Sequence, residues 1–119
     1  MDLTPYVENV KRYTAELKRR NAEATARARA DLPKLVEAVK ADPRVRRAYL
    51  FGSLAKNCFH PKSDIDIAVE GLNWSEQDDL RLRLQELTTF RVDVRDLNST
   101  PQFRELVEFY GELLHVEPG

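Results

Sequence analysis

Apolar residues at helical spacing dominate the first forty positions of the chain. Thr4-Pro5 is a typical helix start, and a stripe of apolar side chains follows it, namely Tyr6, Val10, Tyr13 and Leu17. Between residues 18 and 30 the stripe thins to alanines among arginines, so we expect this part to lie on the surface or against a partner. Asp31-Leu32-Pro33 predicts a new cap or a kink, and Asp42-Pro43 predicts the end of the second helical segment.

The middle of the chain alternates with a period of two, which is typical of strands. Residues 45–51 form one predicted strand. In the next, Ile65, Ile67 and Val69 alternate with Asp64, Asp66 and Ala68, so the two aspartates share a face. In a third, Phe90, Val92 and Val94 share one side and Asp93 points to the other.

Further helix signals separate and follow these strands. Ser75 is a candidate cap for a helix with a leucine stripe, and Thr100-Pro101 starts a last helix that Gly111 closes. The residues L-L-H-V at 113–116 predict a terminal strand. This order of elements predicts an α+β fold, in which helices cover one face of a small sheet.

Composition limits the classes of protein that this chain can belong to. Its 119 residues, 42% of them hydrophobic, suit one compact domain, and its single cysteine, Cys58, forms no internal disulfide, which favours a cytoplasmic setting. We expect no membrane segment, because no apolar run is long enough. The net charge of −1 makes nucleic acid an unlikely partner, and residues 1–31 add only seven basic against five acidic side chains.

Aspartate is depleted in strands, so three aspartates on strand faces need a reason. Side chains at positions i and i+2 of a strand stand roughly 6.5–7 Å apart at Cα, so Asp64 and Asp66 can reach around one ion or a pair. Mg²⁺ is held by one or two carboxylates together with substrate phosphates, and a pair of such ions assists phosphoryl or nucleotidyl transfer. Asp93 would complete the cage and help to take the proton from an attacking hydroxyl.

Gly52-Ser53 offers a seat for the phosphates that such a cage needs. Glycine allows close approach of the backbone, and amides at the start of a following helix donate hydrogen bonds together with the Ser53 hydroxyl. Lys56 adds a positive charge. Each feature alone has an ordinary interpretation, since two aspartates on an edge strand are usually a solvated face and Gly-Ser is usually a turn.

Gly52-Ser53, ten intervening residues and then Asp64-Ile65-Asp66 resemble the GS-x10-DxD motif of the polymerase β-like nucleotidyltransferases, and Asp93 falls where their third aspartate belongs. Because the chain is short, it looks most like a minimal nucleotidyltransferase, the antitoxin class encoded beside HEPN ribonuclease toxins. The similarity covers about residues 32–116. Residues 1–31 have no counterpart, so we predict a helical extension at 1–31 and a nucleotidyltransferase domain at 32–119.

The resemblance implies a polymerase β-like fold with a small mixed sheet, two Mg²⁺ ions held by Asp64, Asp66 and Asp93, and ATP bound at Gly52, Ser53 and Lys56. It also implies transfer of AMP to a tyrosine hydroxyl of a HEPN-type toxin. Many relatives carry Arg-Gly where this chain has Lys56-Asn57, and Asn tolerates the left-handed backbone of a glycine.

Two alternatives stay open. The first is a non-catalytic antitoxin that acts by complex formation. The second is a small-molecule nucleotidyltransferase of the aminoglycoside type. The N-terminal helix is a candidate surface for homo- or hetero-oligomers.

Overall fold

A computed structural model describes residues 1–118 and shows four strands in one mixed sheet of order β3-β2-β1-β4. Strands β2 and β3 are parallel, whereas β1 is antiparallel to both β2 and β4. The predicted α+β class and the mixed sheet are confirmed, including the terminal strand. The elements in chain order are α1 (Thr4–Lys40), β1 (Arg47–Phe51), α2 (Gly52–Ala55), β2 (Ile65–Glu70), α3 (Trp74–Gln85), β3 (Val92–Asp96), α4 (Pro101–Tyr110) and β4 (Glu112–Val116).

Helices pack on both faces of the sheet. The larger core lies under α1 and α3, where strand residues such as Leu50, Ile65 and Ile67 are fully buried. A smaller cluster on the opposite face joins Ala68, Leu97 and Val107 of α4. The expectation that helices cover one face was therefore wrong, because α4 covers part of the second face and leaves the rest open.

The first helix is one continuous element of 37 residues that contains Pro33. No new helix starts at Asp31, because Leu32 and Leu35 on either side of the proline are buried and hold the helix on the sheet. The assumption that residues 18–30 bury little was also wrong, since Ala24 and Ala28 are buried. Alanine lets the helix backbone lie close to its neighbours, so burial here needs no large side chain.

The first half of α1 extends beyond the packed part of the domain. The longest dimension of the whole molecule is 66 Å. The apolar side chains of this half are exposed, among them Tyr6, Val7, Val10, Tyr13 and Leu17, and so is Leu3 just before the helix. The division at residues 31 and 32 stays a prediction, because the helix passes through that point without a break. Within residues 1–118, no helix combines the length and apolarity that crossing a membrane requires.

Helix α3 starts two residues earlier than it would with Ser75 as its cap. Asn73 is the cap: its side chain accepts a hydrogen bond from the Glu76 amide at 2.8 Å, and the Glu76 carboxylate accepts one from the Asn73 amide at 3.0 Å. This reciprocal pair is a capping box, and it fixes Trp74 as the first residue of the helix.

Among the residues that the structure describes, Asp42 is the one buried carboxylate, with 3% of its surface exposed. It accepts hydrogen bonds from Arg44 at 2.8 and 2.9 Å and from Arg83 at 2.6 Å, so it ties the end of α1 to α3. The hydrogen bonds from Arg44 are the main reason that the pKa of Asp42 lies well below its ordinary value, and burial opposes them.

We expect Asp42→Asn to lower the free energy of unfolding at pH 7 by about 1–3 kcal/mol, because Arg44 and Arg83 lose their buried counter-ion and keep only more exposed ones. A lowered folded-state pKa contributes stability above the unfolded value of 3.8, which is lost as the pH falls below it. In denaturant titrations, the difference in unfolding free energy between the variant and the wild type should therefore become smaller as the pH is lowered from 7 to 3. Asp79→Asn is the matched control, since Asp79 contacts the same arginines but is 59% exposed. An equal loss in both variants would contradict this account.

Candidate active site

Asp66 and Asp93 are direct neighbours on the two parallel strands of the sheet. The register pairs Asp66 of β2 with Asp93 of β3, between the pairs Ile65 with Val92 and Ile67 with Val94. Because these flanking residues face the larger core, both aspartates point to the opposite face. The structure thus brings two of the three predicted carboxylates together.

Asp64 immediately precedes β2, two residues from Asp66. It borders a cavity of about 300 Å³ that also contains the basic side chains of Arg27, Lys62 and Arg91. Its charge still reaches Asp66, because it is one of the causes that raise the pKa of that group. The third predicted carboxylate, Asp64, therefore lies just before β2, next to the pair formed by Asp66 and Asp93.

The Asp66 carboxyl is held in an unfavourable environment for a charge. Burial raises its pKa to about 6, and the charges of Asp93 and Asp64 add to this effect, while Arg95 opposes it. Arg95 lies two residues beyond Asp93 on the same strand, with its Nε 3.4 Å from the Asp93 carboxylate. Closely spaced carboxylates with a raised pKa are typical of functional sites.

Gly52 packs directly against the Asp66 carboxylate. It follows Phe51, which pairs with Asp66 across β1 and β2, and its φ of 75° lies in the region that favours glycine. A Cβ atom added to Gly52 would lie 2.2 Å from Asp66 Oδ2, which is a severe steric overlap. Glycine is therefore needed at this position for both its backbone angle and its lack of a side chain.

Ser53 and Lys56 lie in the turn that follows. Ser53 belongs to the short α2, and the amide of Lys56 closes that turn on the Gly52 carbonyl at 3.1 Å. Asn57 has a φ of 59°, which confirms that this asparagine takes the left-handed backbone of a glycine. The Lys56 ammonium stands 5.6 Å from the centre of the Tyr110 ring, so it remains at the surface beside the turn.

A hard divalent ion fits the donor set of this face. Carboxylate oxygens are the ligands that Mg²⁺ prefers, and a cation would offset the repulsion that raises the pKa of Asp66. Within the part of the chain that the structure describes, no three His, Cys, Asp or Glu side chains are already gathered into a complete metal site. Substrate phosphates are the usual source of the remaining ligands for Mg²⁺.

Sequence reasoning missed two features near this face. Arg95 was not predicted, although its position two residues after Asp93 on an alternating strand places it on the same side. The second feature is a cavity beside Asp93 whose wall includes Trp74. The sequence carries no local sign of it, because its residues come from a helix and a strand that only the fold brings together.

The model of the family "Polymerase beta, Nucleotidyltransferase" matches residues 33–116, which is more than half of the chain. The chain belongs to this nucleotidyltransferase family. No curated protein matched it.

Among solved structures, a toxin-antitoxin complex with AMP-PNP is 29% identical over 74% of this chain and 73% of its own, with a TM-score of 0.59. The toxin-antitoxin MntA-HepT is 26% identical over 75% of this chain and 73% of its own, with a TM-score of 0.57. A complex of tri-AMPylated Shewanella oneidensis HEPN toxin with an MNT antitoxin is also 26% identical, over 75% and 72%, at 0.57. These three similar structures are all toxin-antitoxin complexes, and one of them joins a HEPN toxin to an MNT antitoxin.

We expect Gly52→Ala to destabilise the fold by about 2–4 kcal/mol, because it adds a left-handed alanine and a clash with the Asp66 carboxylate. The double variant Gly52→Ala, Asp66→Ala removes the carboxylate that causes the clash. Thermal unfolding of both single variants and the double variant should show a favourable coupling, so that the double variant is more stable than the sum of the single effects requires. Additive effects would show that the contact between the two residues does not matter.

Proposed function

We propose that this protein is a magnesium-dependent nucleotidyltransferase that moves AMP from ATP to a tyrosine hydroxyl of a HEPN-type toxin and thereby acts as its antitoxin. The observation that carries the proposal is the pairing of Asp66 with Asp93, with Gly52 packed against the Asp66 carboxylate. Family membership supports the reaction class, and the complexes with HEPN toxins support the kind of partner.

The nucleotide seat is proposed at Gly52, Ser53 and Lys56. The turn that follows β1 is held open by the glycine, and the first amides of a helix have no acceptors within that helix. The Ser53 hydroxyl adds a further donor, and Lys56 supplies a positive charge next to the turn. A bound AMP-PNP in a similar complex supports ATP as the nucleotide.

Asp64, Asp66 and Asp93 are proposed to hold two Mg²⁺ ions, which would supply charge neutralisation for the phosphates. Asp93 lies on the edge strand, where it accepts a hydrogen bond from the incoming hydroxyl and orients it toward the α-phosphate. The hydroxyl oxygen bonds to the α-phosphorus, the bond to the bridging oxygen breaks, and pyrophosphate leaves with that electron pair. The hydroxyl proton passes to carboxylate or water.

Residues 1–31 are proposed as an extension that serves a partner, and 32–119 as the catalytic unit. The proposal is supported by the exposed apolar side chains of the first half of α1, which the packed body does not cover. The cytoplasm is the proposed compartment, because ATP and an RNA-cleaving partner are found there.

The test is incubation of the purified protein with ATP labelled at the α-phosphate, Mg²⁺ and a candidate HEPN-type partner protein. We expect label on the partner, and we expect Asp66→Asn and Asp93→Asn each to reduce the rate of labelling at least about 100-fold. Removal of the metal with a chelator should have the same effect. Asp79→Asn, on the outer surface of α3, should label the partner at the wild-type rate.

Stability measurements separate lost chemistry from lost structure. Because burial and neighbouring charges raise the pKa of Asp66 to about 6, Asp66→Asn removes an unfavourable charge at pH 7 and should unfold at no lower temperature than the wild type. A tight complex without label would favour the non-catalytic antitoxin. Label on a small molecule alone would favour the aminoglycoside-type enzyme.

A further inference from the structure

A cavity of about 320 Å³ opens at the free edge of β3, directly beside Asp93. Its other walls come from the outer side of α3 and from the same strand. The lining residues are Trp74, Gln77, Asp78, Arg81, Asp93 and Val94. The volume is at the lower end of that found for ligand sites, which suits one side chain rather than a whole nucleotide.

Trp74 is the only tryptophan of the chain, and 80% of its surface is exposed. It takes no part in either apolar core. The capping box of Asn73 and Glu76 fixes the start of α3, so the backbone that carries the indole is well defined. A large aromatic side chain on a defined backbone, unused by the fold, is typical of a binding surface.

The order of the strands gives the candidate active site a direction. Gly52 follows β1, Asp66 lies on β2, and Asp93 lies on the outermost strand, β3. The proposed nucleotide seat therefore lies by the interior strand β1. The sheet edge beside Asp93 is on the side of the site away from that seat. An acceptor that approaches from this edge reaches Asp93 without passing the nucleotide.

We propose that the cavity at the β3 edge binds the aromatic ring of the acceptor, a tyrosine presented by a partner polypeptide, with Trp74 as its stacking surface. This inference rests on the proposed function. The acceptor ring packs on the indole and its hydroxyl points toward Asp93, and Gln77 and Arg81 line the same cavity. A serine or threonine acceptor would leave the indole unused, so the exposed tryptophan selects an aromatic hydroxyl. Trp74 is a residue that positions the acceptor, and the transfer step itself is the one balanced above.

Fluorescence of the single tryptophan reports on this cavity without any chemistry. The probes are the capped tripeptides acetyl-Gly-Tyr-Gly-amide, its phenylalanine analogue and its leucine analogue, with acrylamide as the quencher. We expect the tyrosine and phenylalanine peptides to protect Trp74 from quenching and the leucine peptide to protect it much less. Protection by ATP with Mg²⁺ alone would overturn the proposal, because the cavity would then be the site of the adenine base. Equal protection by all three peptides, or by none, would overturn it as well.

Kinetics of AMP transfer to the HEPN-type partner provide the second arm. Trp74→Ala should raise KM for the acceptor about 3- to 10-fold, and Trp74→Phe should recover most of the loss. Affinity for ATP with Mg²⁺, measured by calorimetry, should not change in either variant. Leu82→Ala is the matched control, because Leu82 lies on the same helix, is 53% exposed and does not line the cavity.

The two arms separate this inference from the function on which it rests. If the wild type labels its partner and Trp74→Ala has the same KM, the acceptor site is wrong and the transferase activity stands. If no label is transferred while the aromatic peptides still protect Trp74, the transferase proposal fails and the cavity remains a site for aromatic side chains.

Discussion

The parallel pairing of β2 with β3 is the constraint on which the candidate site depends. Parallel strands need a crossover, here α3, and the register that this crossover permits sets Asp66 beside Asp93. Shifting β3 by one residue would turn Asp93 into the core and Val92 to the open face. The same crossover begins with the capping box of Asn73, so one element sets both the register of the carboxylates and the place of Trp74 at the edge.

The fold accepts an unfavourable group of charges on its open face because the opposite face is well packed. Ile65, Ile67 and Val92 alternate with the aspartates and are buried almost completely, so the strands are held by the side that carries no charge. Arg95 offsets part of the repulsion from its position beside Asp93. Closely spaced charges that the surrounding structure holds in an unfavourable arrangement are typical of functional sites.

Alternation and spacing were sufficient to predict the strands and the turn at Gly52, because these depend on local geometry. Asp64 lies just before β2, so its place on the same face as Asp66 stays a prediction. Alternation and spacing failed where burial depends on distant partners. Ala24 and Ala28 look like surface residues in the sequence, yet both are buried in the larger core. The helix cap at Asn73 displaced the one expected at Ser75 for a local reason, because Glu76, three residues further on, completes a capping box with Asn73. The role of Gly52 as a neighbour of the Asp66 carboxylate needed the packing of β1 on β2.

The long first helix has a buried second half and an exposed first half, although its backbone is continuous. Arg29 donates hydrogen bonds to both carboxylate oxygens of Glu112 on β4, at 2.8 and 2.6 Å, so the second half of α1 is tied to the sheet by charge as well as by apolar contact. Both halves carry large apolar side chains, but the second half buries Leu32, Leu35 and Val39 whereas the first half buries none of its own. Folding of this domain does not reward tyrosine, valine and leucine at those positions, whereas an alanine-rich helix would be more stable alone. The rest of the described chain therefore leaves the apolar side chains of residues 3–17 uncovered.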